Sequence, residues 1–78
     1  MNNLETLTNV FTETFGIDAE TTKGLKYQGI EEWDSVGHMA LIAAIEDAFG
    51  ITMDTDDIID LSSFEKAKEI LAKYNIAF

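Results

Sequence analysis

Apolar residues in this chain recur at helical spacing and nowhere alternate with the period of two that a half-buried strand requires. Leu4, Leu7, Val10, Phe11 and Phe15 mark an amphipathic first helix over about residues 3–15. Leu41, Ile45 and Phe49 lie four apart on a second helix running from Ser35 or Val36 to Phe49, and Ile42 widens that core stripe. Phe64, Ala67, Ile70, Leu71 and Tyr74 mark a last helix. Gly16 and Gly50 follow the first two stripes directly. That position favours a left-handed C′ residue, and Ile17 is placed to fold back on the preceding turn. Asp54-Thr55-Asp56-Asp57 reads as the start of a short helix, with Asp54 or Thr55 as cap and Ile58, Ile59 and Leu61 giving one or two turns. Ser62-Ser63-Phe64-Glu65 contains a Ser-x-x-Glu capping box for the last helix, and Lys73 near its end suits the negative pole. The fold class is therefore all-α: a small bundle of three main helices plus one short helix, with a long loop between the first and second helices.

That loop, residues 17–34, lacks a sustained period and contains Thr21-Thr22, Gly24 and Gly29. Long loops in compact domains need pinning, so Ile17, Leu25, Tyr27 and Ile30 are expected to hold it across the helices. Trp33 reads equally as another pin or as an exposed contact. The 78 residues are expected to form one domain over 1–78 with a small core. The chain has no Cys and no apolar stretch near the roughly 18 residues of a membrane span, so the expectation is the cytoplasm with no membrane span.

Charge narrows the partners. Fifteen Asp and Glu stand against five Lys, with no Arg, giving a formal net charge of -10, which excludes nucleic acid as a favoured partner. No basic residue falls between Lys26 and Lys66, where Glu31, Glu32, Asp34, Glu46, Asp47, Asp54, Asp56, Asp57 and Asp60 all lie. Such a block serves solubility or forms a docking face for basic partners; here it coincides with the second helix, which favours docking.

The chemistry-bearing stretch is Glu31-Glu32-Trp33-Asp34-Ser35-Val36-Gly37-His38-Met39. It closes the loop and opens the most apolar helix, which puts Ser35 on the surface at a helix start, with Asp34 and Ser35 as cap residue types. Val36, Met39 and Ala43 fall beside the core stripe, where adaptable apolar side chains suit changing partners. Gly37 either leaves room beside Ser35 for an enzyme or an attached group, or is a tolerated glycine at a fraying end. His38 stands three residues after Ser35, within reach on one helix, which raises a small serine hydrolase using Ser35 and His38. That reading lacks a third orienting group and an obvious pocket. Asp54, Asp56 and Glu65 match positions 1, 3 and 12 of a calcium loop, but Ile58 and Ile59 stand where a ligand and a glycine are required, so no metal site is expected.

Asp34-Ser35 at the second helix start, with Leu41-Ile42 and Ile45-Glu46-Asp47-Ala48-Phe49-Gly50-Ile51 in register, resembles the acyl carrier protein family. The loop length between the first two helices is similar as well. The resemblance implies a carrier without catalytic activity of its own, with 4′-phosphopantetheine attached to Ser35 and Asp34 beside the phosphate chemistry. Val36, Met39, Glu46 and Asp47 would face partner enzymes. Those partners would be a phosphopantetheinyl transferase, an acyl- or aminoacyl-loading ligase and acyltransferases with basic docking faces, acting on a monomer. An aminoacyl or peptidyl carrier of the same fold is the alternative. Val36, Gly37, His38 and Ala40 depart from the common pattern of Leu and further acids after the serine, and Glu32-Trp33 replace the Gly-Gly of peptidyl carriers. Trp33-Asp34-Ser35 with Gly37-His38 is similar to free-standing carriers dedicated to one pathway.

Overall fold

The computed structural model describes residues 2–78. Its helices are α1 (Asn3–Phe15), α2 (Ala19–Thr22), α3 (Ser35–Phe49), α4 (Thr55–Asp60) and α5 (Phe64–Ala72). The three long helices match the three apolar stripes, and α4 is the expected short one. The long loop holds one further turn, α2, because Asp18 accepts a hydrogen bond from Thr21 N at 2.8 Å and caps it. Four residues are too few for a periodic apolar signal, and only the cap betrays the turn.

α1 and α3 end alike. Gly16 and Gly50 adopt left-handed backbone with φ of 66° and 65°, and the next residues, Ile17 and Ile51, donate back to Thr12 O and Glu46 O. α5 ends without glycine. Asn75, at φ 66°, takes the left-handed position, and Ile76 N donates to Leu71 O, which tucks Ile76 into the core. Tyr74 therefore lies just beyond α5 rather than on it.

The core runs between α1 and α3 and is closed by α5. Leu7, Phe11, Leu41, Ile45, Leu61, Phe64 and Leu71 are buried around Trp33. Trp33 is a pin, not a surface contact: it stacks on Phe15 and meets Phe11 edge-on, each with centroids 5.5 Å apart, while Phe11 also meets Phe64 edge-on. Three members of the expected stripes fall outside this buried core, the half-buried Tyr74 among them. Leu4 lies exposed on the first turn of α1, and Phe49 is only half-buried, packed edge-on against Phe78.

The loop is tied to the segment ahead of α5. Tyr27 N donates to Ser62 O at 2.8 Å and Phe64 N to Leu25 O at 2.9 Å, a single antiparallel bridge between Lys26 and Ser63. That bridge engages Ser62 and moves the cap one residue on. Ser63, not Ser62, caps α5 by accepting from Lys66 N, so the Ser62/Glu65 capping box does not form. At α4, Asp54 holds the cap position without a side-chain hydrogen bond.

Candidate functional site

Ser35 is the first residue of α3 and is exposed. Asp34 precedes it with extended backbone, and its Oδ1 accepts from Gly37 N at 2.8 Å, so its carboxylate is committed to capping α3. The Ser35 hydroxyl lies 3.3 Å from the Tyr27 hydroxyl, delivered from the loop.

Behind Ser35 the platform is locked. Trp33 Nε1–H donates to His38 Nδ1 at 2.9 Å, and His38 Nε2 lies 2.7 Å from the Ile58 carbonyl oxygen of α4. The indole can only donate, so Nδ1 is the acceptor and the ring proton sits on Nε2, donated to Ile58 O. His38 is thus neutral and spoken for on both sides, a half-buried tie between loop, α3 and α4. It has no lone pair left to activate Ser35, which removes the Ser35/His38 hydrolase arrangement. Gly37 is not merely a tolerated glycine at a fraying end. A Cβ there would stand 1.8 Å from the Glu32 carbonyl oxygen, so the glycine is where loop backbone presses onto the first turn of α3.

A groove of about 400 Å³ opens beside Ser35, lined by Tyr27, Ser35, Met39, Ile58, Ile59 and Leu61 among others. Its lining is mainly apolar, with Tyr27, Ser35, His38 and Ser62 as the polar residues.

The phosphopantetheine attachment site family matches residues 5–71, from the first turn of α1 into the last turn of α5. The chain belongs to that family. Its members are carriers bearing a 4′-phosphopantetheine prosthetic group, served by modifying enzymes such as phosphopantetheinyl transferase. Neither a curated protein nor a solved structure matches the chain.

On this carrier the four residues expected to face partners behave differently. Val36 is 80% exposed and Met39 54%, and Ile59 on α4, which the sequence reading left as a helix former, is 72% exposed. Asp47 is exposed, whereas Glu46 is half-buried and accepts a hydrogen bond from Met53 N at 2.8 Å. Glu46 therefore holds the link into α4 rather than only facing partners, and its reversal to Lys would disturb that link. Among the described residues no His, Asp or Glu group gathers as metal ligands, and no helix is long and apolar enough to cross a membrane.

Asp57, read in the sequence as one more acid of the α4 start, is buried. It takes hydrogen bonds from Lys73 Nζ at 2.5 Å and Tyr74 Oη at 2.6 Å, and Tyr74 Oη accepts from Asp54 N. The Lys73 ammonium, with help from Tyr74, holds the Asp57 carboxyl below its ordinary range, and Asp57 in turn raises both Lys73 and Tyr74. The only sequence signal for this triad was Lys73, which answers a buried carboxylate rather than the α5 dipole.

Proposed function

We propose that this chain is one carrier domain over residues 1–78 that receives 4′-phosphopantetheine on Ser35 and delivers a bound acyl group to pathway enzymes in the cytoplasm. The observation that carries the reading is an exposed serine hydroxyl on the first residue of α3, inside the matched span and backed by a locked platform. The residues present fit the group. The positive end of α3 favours a phosphodiester, and the one acid at that end, the cap Asp34, has its carboxylate tied to Gly37 N.

Attachment joins Ser35 Oγ to the phosphorus of coenzyme A. The P–O bond to adenosine 3′,5′-bisphosphate breaks, the bisphosphate leaves, and the hydroxyl proton passes to a base of the transferase. When bound, the arm supplies a terminal thiol that holds the cargo as a thioester. The chain supplies position: Asp34 fixes the helix start beside the phosphate chemistry, and the groove floor of Met39, Ile58 and Ile59 gives the arm an apolar resting face. Val36, Met39 and Ile59 form the apolar centre of the docking face, with Asp47 as a rim charge for basic partners and Glu46 behind it. Docking there raises the effective concentration of cargo at each enzyme while staying weak enough to release.

Incubation with coenzyme A and a promiscuous phosphopantetheinyl transferase is expected to add one arm to the chain by intact mass. Ser35→Ala is expected to add none while keeping its helical circular dichroism. Loading that persists in a folded Ser35→Ala chain overturns the assignment.

A further inference from the structure

We infer that Tyr27 is a positioning residue for Ser35, orienting its hydroxyl before the arm is attached and donating a hydrogen bond to the phosphodiester afterwards; this rests on Ser35 being the attachment residue. Among the described residues, Tyr27 is the one side chain that hydrogen-bonds the Ser35 hydroxyl, with the oxygens 3.3 Å apart. An exposed serine otherwise has its rotamers open to it.

Tyr27 is held well enough to impose a direction. Its N–H donates to Ser62 O, and the next residue, Gln28, donates from N to Trp33 O at 3.0 Å while in left-handed backbone with φ 64°. Its ring meets Trp33 edge-on at 6.2 Å and His38 edge-on at 5.6 Å. Trp33 is fully buried and His38 is tied at both nitrogens, so both supporting rings are fixed. Phenylalanine would make the same ring contacts. The hydroxyl adds only the contact to Ser35.

Before transfer, that contact selects an Oγ direction for attack on the phosphorus, a gain in orientation that appears in turnover more than in binding. After transfer, Oγ is an ester oxygen with no proton to give. The phenol is then necessarily the donor, and its acceptor is an anionic phosphodiester oxygen, the stronger charge-assisted kind of hydrogen bond. The arm is thereby directed along the groove that Tyr27 and Ser35 share with Met39 and Ile59.

Tyr27→Phe tests this with the ring packing kept. Single-turnover loading from coenzyme A is expected to slow by about threefold to tenfold at saturation with little change in KM, the scale of one exposed hydrogen bond. The ³¹P resonance of the loaded chain is expected to move relative to wild type. A coincident resonance in wild type and Tyr27→Phe overturns the loaded-state contact whatever the rate. An unchanged rate overturns the orienting role. Ser35→Ala run alongside separates the two readings, because an arm gained by that variant overturns the attachment residue itself.

Discussion

α4 is held from two sides by opposite chemistry. On one side His38 donates to the Ile58 carbonyl and accepts from Trp33, a neutral chain of hydrogen bonds that ends beneath Ser35. On the other, Asp57 is buried against Lys73 and Tyr74, an ionic tie to the end of α5. The helix is only six residues long and has no side-chain cap, so it depends on these ties rather than on its own hydrogen bonds. The neutral tie shares its residues with the Ser35 platform, and the ionic one does not. Perturbing the first should therefore reach the site, while perturbing the second should change mainly how stability depends on pH.

Trp33→Ala removes the root of the neutral tie and is expected to have the largest effect. Loss of a buried indole costs about 3–5 kcal/mol, much of the stability of so small a chain. Urea unfolding should read it, with arm loading impaired in parallel. His38→Ala keeps Trp33 in place but leaves the indole N–H and the Ile58 carbonyl without their partner, an expected loss of roughly 1–3 kcal/mol. Hydrogen exchange should then quicken in α4 and in the loop around Trp33 together. Faster exchange in α4 alone would show that the tie does not reach the site.

Asp57→Asn is the matching test of the ionic side. The folded carboxyl lies below its ordinary value of 3.8, so its contribution is full above that pH and is lost as pH falls through the lowered folded value. Lys73 and Tyr74 are raised above 10.5 and 10.0, so their share is present at neutral pH and lost as pH rises through those raised values. Thermal melts of Asp57→Asn are therefore expected to show a flatter pH dependence at both extremes, with Ser35 loading at neutral pH unchanged in the folded fraction. The smallest effects belong to the two acids at the end of α3. Glu46→Lys is expected to cost about 1 kcal/mol by freeing Met53 N ahead of α4, whereas Asp47→Lys should stay within about 0.5 kcal/mol and slow transferase association instead. Equal destabilisation by both would remove Glu46 from the ties that hold α4.

Neither tie on α4 was legible in the sequence, although the helices around it were. Helix periods and the Gly16 and Gly50 stops placed α1 and α3, leaving only the start of α3 open between Ser35 and Val36, because both signals are local. Ser35 was readable as an exposed residue at a helix start for the same reason. The contacts that make a platform of it were not, since they join Trp33 to His38, His38 to Ile58, Tyr27 to Ser62 and Asp57 to Lys73 across turns whose geometry no period encodes. Gly37 shows the limit clearly. Its reason is the Glu32 carbonyl, a backbone group present at every residue and invisible in composition. Asp57 and Glu46 read as surface charge because neighbouring acids surround them, and only the fold distinguishes the acids that hold backbone or a lysine from those that simply face solvent.

The central claim is that this locked surface carries an acyl group on an arm at Ser35. The most direct measurement is thioester-retaining mass spectrometry of the chain isolated from its own cell, followed by peptide mapping. The account predicts one phosphopantetheine on the peptide containing Asp34-Ser35, bearing a cargo mass that hydroxylamine releases. An arm mapped to another residue, or a chain that carries no arm in a cell whose transferase loads other carriers, would contradict it.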